Sequence, residues 1–288
     1  MNLKIQHRTS YRYDQPVVLG DHRVMVRPRE SRDLRLVSSD LLVTPVFDIK
    51  WAQDIFGNAV ATASFRQMTD QLVIDAVAEL ELYSVDWPVF DIAVSAMTYP
   101  FRYSDDEWTD LGALAVPGHL DTAGRLRDWS EAFVLSSPTD TLSLLKDVCN
   151  GISATIRYQS REAEGTQSPV ETLDRGWGSC RDFAVLFIET VRSLGFGARI
   201  VSGYLYRSDQ TVLGSADAGA MHAWAEVYIP GAGWITFDPT NRSVGGSNLI
   251  PVAVSRDITQ VVPVSGSFVS RTSRIHQMSV DVQVVRLE

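Results

Sequence analysis

One of the two cysteines, Cys180, lies at a position in the chain that favours a reactive thiol. Cys180 follows the turn Gly176-Trp177-Gly178-Ser179 and begins an apolar repeat of about 3.6 residues, so we predict it on the first turn of a helix. The first amides of a helix have no partner and the macrodipole is positive at that end, and both favour a thiolate over a thiol. Cysteines in such positions have pKa values of about 3.5 to 7.5, instead of about 8.5. The pattern therefore predicts a nucleophilic Cys180.

A nucleophilic cysteine needs a base within hydrogen-bond reach and a third group that orients this base. The chain has five histidines, and only His222 opens a strand-like segment with an aspartate, Asp238, at the end of the next such segment. We predict that Asp238 accepts from one imidazole nitrogen, while the other nitrogen deprotonates Cys180 and later protonates the leaving amine. Taken alone, His222 would be a satisfied strand histidine and Asp238 a turn former. The three residues together indicate an acyl-transfer centre.

The histidine and the aspartate must lie on one face of a hairpin whose turn falls between Pro230 and Gly233. A two-residue turn would place Asp238 opposite Ala225, on the other face from His222. A three-residue turn would instead pair Asp238 with Trp224 and leave His222 as its diagonal neighbour. We therefore predict an odd-numbered turn or an equivalent bulge.

Attack on a carbonyl creates an oxyanion that needs hydrogen-bond donors already in place. The backbone amide of Cys180 is the first expected donor, and Trp177, whose indole can only donate, is a candidate for the second. Ser179 and Trp224 are further candidates for the oxyanion site or the cleft, although a core position is favoured for Trp224. The carboxylate of Asp182 is expected to serve the dipole of the cysteine helix.

A β-rich segment precedes these residues. From Asn2 to about Asp91 apolar residues alternate in twos, between turn signals such as Asp14-Gln15-Pro16 and Arg27-Pro28-Arg29. Such a pattern predicts an antiparallel β-sandwich. We place this N-terminal β-rich domain at residues 1–95 and a connector with short helices at residues 96–137.

The catalytic core is predicted at residues 138–250, followed at 251–288 by C-terminal strands that pack on the sheets. Apolar residues at helical spacing around Cys149 place that cysteine in the core as a small hydrophobic residue. A short capped helix is predicted from Ser168, and the amphipathic helix of the nucleophile is expected to end at Gly195.

The cysteine helix is followed by an antiparallel sheet in this interpretation, so the predicted fold class is α+β. Its three predicted strands run from Ala198 to Tyr206, from His222 to Ile229 and from Trp234 to Asp238. The glycine-rich segment Gly214 to Gly219 is either a flap over the site or a hairpin connection.

Composition narrows the class of protein. The 288 residues are 45% hydrophobic with a net charge of -9 and no dense basic run, which argues against a nucleic-acid partner. We find no signal peptide, no membrane span and no metal-ligand spacing, and we expect no cofactor. The expected location is the cytoplasm, where Cys149 and Cys180 would stay reduced and unpaired.

Motifs along nearly the whole chain resemble the bacterial transglutaminase-like superfamily. In the core they are Gly178-Ser179-Cys180-Arg181-Asp182-Phe183-Ala184, His222-Ala223-Trp224 and Trp234-Ile235-Thr236-Phe237-Asp238-Pro239-Thr240-Asn241. Outside the core they are His7 to Tyr13, Asp54 to Asn58, and Val254 to Ile258, in which Ser255 stands where glycine is more usual.

The resemblance implies a papain-like α+β core, preceded by a β-rich N-terminal region, with a Cys-His-Asp triad carried by Cys180, His222 and Asp238. Members of this superfamily include crosslinking transglutaminases, peptidases, amidases and proteins that have lost the triad. The first hypothesis is therefore a cysteine protease or amidase that acts on a peptide or protein. The alternatives are a protein-glutamine transglutaminase with an amine acceptor, and a non-catalytic peptide-binding or assembly module.

Overall fold

The computed structural model of the chain describes residues 1–85, 88–161, 165–207, 221–270 and 274–287. Its N-terminal part consists of strands whose side chains alternate between buried and accessible positions, as the period of two predicts. These strands are β1 (Asn2–Leu19), β2 (His22–Val24), β3 (Leu34–Thr44), β4 (Phe47–Gln53), β5 (Ala59–Phe65) and β6 (Met68–Leu82).

Short elements follow and connect this part to the core. They are a 3₁₀ turn (Val94–Ala96), β7 (Thr98–Tyr99), α1 (Asp105–Leu111), a second 3₁₀ turn (Gly112–Ala115), α2 (Arg125–Glu131) and β8 (Thr139–Asp140). Helix α1 begins at a capping box in which Ser104 and Glu107 satisfy each other's backbone N–H groups.

The core contains three helices followed by a sheet. Its elements are α3 (Thr141–Thr155), β9 (Arg157–Tyr158), α4 (Pro169–Arg175), β10 (Trp177–Gly178), α5 (Cys180–Ser193), β11 (Ala198–Leu205), β12 (Met221–Ile229), β13 (Gly233–Asp238), β14 (Ser243–Val244) and β15 (Leu249–Ser255). A third 3₁₀ turn and three strands complete the chain: Ile258–Val261, β16 (Val264–Ser265), β17 (Phe268–Val269) and β18 (Ile275–Arg286).

Two antiparallel sheets form the predicted N-terminal sandwich. One has the order β17-β1-β6-β3, with β18 also paired to β1, and the other has the order β16-β2-β5-β4. Side chains from both sheets, among them Tyr13, Val24 and Leu72, form one apolar cluster. Strands β16, β17 and β18 come from the end of the chain, so the C-terminal segment completes sheets that the first residues begin.

The core sheet has the order β14-β13-β12-β11-β15, and all of its pairs are antiparallel. Strand β15 spans residue 250, where the sequence interpretation ends the core, and it pairs with β11. The chain is thus an α+β protein, as predicted. Among the described residues, no helix has both the length and the apolar character that a membrane crossing needs.

Helix α5 is more deeply buried than an amphipathic helix. Every residue from Asp182 to Arg192 is buried, including the polar Glu189 and Thr190. The sheet covers one side of α5 through β11 and β12, while α2, α3 and α4 pack on the others. The apolar stripe of the predicted amphipathic helix is buried, and the polar residues opposite it are buried as well, because neighbouring elements also pack on that side. The helix ends at Ser193, and Gly195, with a φ of 90°, is the predicted left-handed cap residue.

The sandwich and the core are joined by a buried asparagine. Asn58 is fully buried, its Nδ2 donates to the Val254 carbonyl at 2.7 Å, and its Oδ1 accepts from the Val254 N–H at 2.9 Å. Asp54 fixes the turn before it by accepting from the N–H groups of Phe56 and Asn58. The Asp54 to Asn58 motif therefore ties the N-terminal region to β15.

Candidate active site

Cys180 is the first residue of α5, as predicted. The chain reaches it through α4, which ends at Gly176 (φ 66°), and through β10, which pairs in parallel with β9. A Cβ on Gly178 would lie 2.8 Å from the Cβ of Asp182, so only glycine fits at this point. The glycines beside the nucleophile thus permit a close approach between the turn and the first turn of the helix.

A buried carboxylate holds the start of α5. The Oδ2 of Asp182 accepts from the N–H and the Oγ of Ser179, at 2.8 and 2.9 Å. Its Oδ1 accepts from the Gln167 N–H at 2.7 Å and from the Arg161 guanidinium at 2.9 Å. The sequence indicated a dipole role for Asp182, but it did not predict Arg161 or Gln167. The residue therefore fixes both the cysteine turn and the segment that precedes α4.

The hairpin of β12 and β13 has the odd-numbered turn that the sequence analysis predicts. Ile229 pairs with Gly233, so residues 230–232 form a three-residue turn. The turn rests on the segment after the sandwich, where the Ala93 N–H donates to the Pro230 carbonyl at 2.8 Å. Because this register puts His222 and Asp238 on one face, their side chains meet.

The histidine and the aspartate form a buried hydrogen bond. His222 Nε2 lies 2.8 Å from Asp238 Oδ2, and the two residues are 8% and 0% exposed. The opposite ring nitrogen, Nδ1, is left for Cys180, to which His222 is also hydrogen-bonded. The structure thus brings the three predicted residues into one hydrogen-bonded row.

The charges in this row favour an ion pair. Burial alone would raise the pKa of the Cys180 thiol, but the hydrogen bond and charge of His222 outweigh it, with help from the Ala223 N–H and Arg181, and the pKa falls. Burial opposes the imidazolium, yet the hydrogen bonds to Asp238 and Cys180 raise the pKa of His222 to about 10. Asp238 is also buried, and its bonds to His222 and Asn241 lower its pKa. The two shifts have opposite directions, and both favour the thiolate and imidazolium pair over the neutral thiol and imidazole.

The second cysteine has the opposite environment. Cys149 is buried on α3, and both thiols are free. Burial, and then the charge of Asp238, raise the pKa of Cys149 to about 12. It is an unreactive core residue.

The remaining candidates occupy three different environments. Ser179 is committed to Asp182 and caps the helix. Trp224 is buried among Val201, Leu205, Leu249 and Val254 and stacks on the His222 ring, with 6.0 Å between centroids. Trp177 is half-buried beside Cys180, with the Arg175 guanidinium 5.9 Å from its ring centroid. Of the three, Trp177 remains the candidate for a second oxyanion donor.

The glycine-rich segment Gly214 to Gly219, predicted as a flap or a hairpin connection, lies outside the described residues.

Sequence reasoning missed two groups that contact the triad. The Ala223 N–H bonds the Cys180 sulfur, and Asn241 Nδ2 donates to Asp238 Oδ2 at 2.6 Å. The signal for Asn241 was the Asp-Pro-Thr-Asn run after β13, because asparagine in such turns often bonds nearby groups.

Two family models match the chain in succession. Residues 3–81 match the bacterial transglutaminase-like N-terminal region, and residues 127–239 match the transglutaminase-like superfamily. The chain therefore contains a transglutaminase-like core. All three residues of the hydrogen-bonded row lie inside the second match. The two matches together span the first six strands of the sandwich, α5 and strands β11 to β13 of the core sheet.

Relatives extend the similarity over almost the full length. An uncharacterized protein of Mycobacterium leprae is 24% identical and covers 99% of both chains. One from Mycobacterium tuberculosis is 26% identical over 97% of this chain and 91% of its own. A crystal structure of a putative cysteine protease from Cytophaga hutchinsonii has a TM-score of 0.75 at 20% identity, covering 100% of this chain and 92% of that one. At this identity the likeness shows the fold.

Proposed function

We propose that this transglutaminase-like protein is a cysteine-nucleophile hydrolase that cleaves a peptide or other amide bond through a thioester on Cys180. The observation that carries the proposal is the hydrogen-bonded row from Cys180 through His222 to Asp238, which begins at the positive end of α5. The proposed substrate is a peptide or protein. The proposed compartment is reducing, as the cytoplasm is, because the reaction requires a free thiol.

In the first half of the reaction, the Cys180 thiolate attacks the carbonyl carbon and the carbonyl oxygen takes the electron pair. The Cys180 N–H, in the first turn of α5, is the proposed donor to this oxyanion. The imidazolium of His222 gives its Nδ1 proton to the leaving nitrogen, the C–N bond breaks, and a thioester remains. Asp238 stays ionised and holds Nε2–H throughout.

In the second half, neutral His222 takes a proton from water, and the resulting hydroxide attacks the thioester. The C–S bond breaks and Cys180 leaves as a thiolate beside the reformed imidazolium. If an amine replaces water, the same steps transfer the acyl group to nitrogen, which is the transglutaminase alternative. The two reactions share the nucleophile and differ only in the acceptor.

The test is acylation of the full-length protein by p-nitrophenyl acetate. We expect a burst of p-nitrophenol equal to one acyl group per chain, with the acetyl group on Cys180 by mass spectrometry. Cys180→Ala should abolish the burst and Cys149→Ala should keep it, because Cys149 is buried with a raised pKa. Acetylation of Cys180 no faster than that of Cys149 would overturn the proposal and favour a non-catalytic binding module.

The acceptor is decided in a second experiment, with glutamine-containing peptides, an unfolded protein and a labelled primary amine. New N-termini, or ammonia released without label uptake, support the hydrolase. Incorporation of the amine in preference to hydrolysis would replace it with the transferase. Cys180→Ala is the control for both readouts.

A further inference from the structure

The Asp238–His222 hydrogen bond has a third participant. Asn241 Nδ2 donates to Asp238 Oδ2 at 2.6 Å, and this is the same oxygen that His222 Nε2 contacts at 2.8 Å. The amide nitrogen is also 3.4 Å from His222 Nε2. Asp238 is fully buried, whereas Asn241 is an exposed residue. The asparagine side chain therefore contacts both partners of the hydrogen bond that orients the histidine.

The turn that presents Asn241 is held from two sides. Asp238 Oδ1 accepts from the N–H groups of Thr240 at 3.0 Å and Asn241 at 3.3 Å. On the other side, the Arg242 guanidinium donates to the Oγ and the carbonyl oxygen of Ser153 on α3, at 2.7 and 3.1 Å.

Arg242 also carries backbone strain. In the described part of the chain it is the one non-glycine residue with a positive φ, 55°. Such a conformation persists only where the surroundings over-determine it, and it is common next to active sites. The strain and the two sets of hydrogen bonds fix the place of the Asn241 amide.

We propose that Asn241 is a positioning residue of the active site, which holds the Asp238 carboxylate toward His222 and shields their hydrogen bond from water. This inference deepens the proposed function, because the acid step needs an oriented imidazolium. Loss of the amide donor would admit water to Asp238 Oδ2, weaken the charged pair, and raise the pH at which Cys180 loses its proton. The contribution of Asn241 to the lowered pKa of Asp238 points the same way.

A turn former is the competing role for this residue, and one substitution separates the two roles. Aspartate favours turns as asparagine does. Asn241→Asp therefore keeps the shape and the turn preference, but it replaces the donor by an acceptor and places a second negative charge beside Asp238. A positioning role predicts that Asn241→Asp is more damaging than Asn241→Ala. A turn-forming role predicts the reverse.

The experiment measures the rate of Cys180 alkylation by iodoacetamide against pH in the full-length protein, by mass spectrometry of the Cys180 peptide. We expect the acid limb to move up by about one pH unit in Asn241→Ala, a tenfold loss of thiolate below the midpoint. It should move further in Asn241→Asp. The matched control is Asn150→Ala, which removes an exposed amide from α3 and should leave the profile in place.

A wild-type profile in both variants would overturn the proposal, and so would a smaller shift in Asn241→Asp than in Asn241→Ala. Thermal unfolding of each variant checks that the fold is kept, and the isosteric Asn241→Asp tests the proposal even if Asn241→Ala unfolds. Alkylation needs no substrate. If both Asn241 variants show the expected shifts of the acid limb but the protein hydrolyses no amide, the proposed function is overturned and this inference stands.

Discussion

Cys180 and Cys149 show how surroundings set the reactivity of one side-chain type. Cys149 is buried, and its burial and the charge of Asp238 raise the pKa of its thiol to about 12. Cys180 is partly accessible and is hydrogen-bonded to His222 and to the Ala223 N–H, and its pKa is lowered. A buried thiolate is stable only beside such donors, because burial by itself penalises the charge.

The pH dependence of Cys180 should follow from this pair. Alkylation is expected to stay constant through neutral pH and to fall in acid, where the thiolate gains a proton. Acyl transfer should also fall in alkali, as pH rises through the raised pKa of His222, about 10, because the leaving amine then lacks its acid. In His222→Gln the acid limb should move up toward the ordinary cysteine pKa of about 8.5, because the hydrogen bond and the charge that lower the pKa of Cys180 are lost.

Stopped-flow alkylation against pH checks the His222→Gln prediction, with the Cys149 peptide as the internal reference. An acid limb at the same pH in wild type and His222→Gln would show that the histidine does not stabilise the thiolate.

At the scale of elements, the start of α5 depends on one carboxylate. Asp182 is fully buried and accepts from Ser179, Gln167 and Arg161, which belong to three parts of the chain. The helix that carries Cys180 is thus anchored from the side of the N-cap and from the segment before α4. This anchor fixes the position of Cys180 through the backbone.

Asp182→Asn should lower the free energy of unfolding by about 3 kcal/mol, because it leaves the Arg161 charge without its buried partner. Urea denaturation measures the loss. The matched control is Asp174→Asn on α4, which breaks an exposed pair with Arg125 and should cost less than about 1 kcal/mol. Equal losses in the two variants would contradict the anchoring role.

The β12–β13 hairpin has a second element-scale constraint, at Gly231. Its φ is 85°, and a Cβ at this residue would lie 2.5 Å from the Ala93 nitrogen. Gly231→Ala should therefore cost more than the roughly 1 to 2 kcal/mol of a left-handed alanine. Gly233→Ala is the control, because Gly233 also has a positive φ, 73°, but has nothing within 4 Å of its Cβ position. Thermal denaturation measures the loss of stability in each variant. A larger loss in Gly233→Ala than in Gly231→Ala would contradict this prediction.

At the scale of the whole molecule, the sandwich and the core are built as one unit. One apolar cluster contains Leu3 and Ile5 of β1 together with Phe183 and Phe187 of α5. Phe56, from the turn that Asp54 fixes, packs on the cluster around Trp224, and Trp224 stacks on His222. The N-terminal region therefore supports the strand that carries His222.

Removal of the buried amide at Asn58 should weaken both parts together. Asn58→Ala leaves the N–H and the carbonyl of Val254 buried without their partner, at a cost of about 3 kcal/mol. Calorimetry should show one transition at a lower temperature, with the exposed Asn150→Ala unchanged as the control. Two separate transitions in Asn58→Ala would show that the sandwich and the core unfold independently.

Local sequence indicated the residues of the candidate site. The glycine turn and the apolar period place Cys180 at a helix start, and the requirement that His222 and Asp238 share one face of the hairpin selects the three-residue turn. Such features depend on caps, turn lengths and strand alternation within a few residues, so they can be derived without knowledge of the rest of the chain.

Only the tertiary structure decided what surrounds those three side chains. Asn58 and Val254 are 196 residues apart, and the helix expected to be amphipathic is buried on all sides. Asn241 and Asp238 are close in sequence. The turn that carries Asn241 is held, however, by a hydrogen bond from Arg242 to Ser153, which lies 89 residues away. These contacts arise when separate elements pack, and packing between distant segments has no periodic trace in the sequence. The chain thus specifies the helix start at Cys180 locally, while the packed surroundings of Cys180, His222 and Asp238 come from the assembled fold.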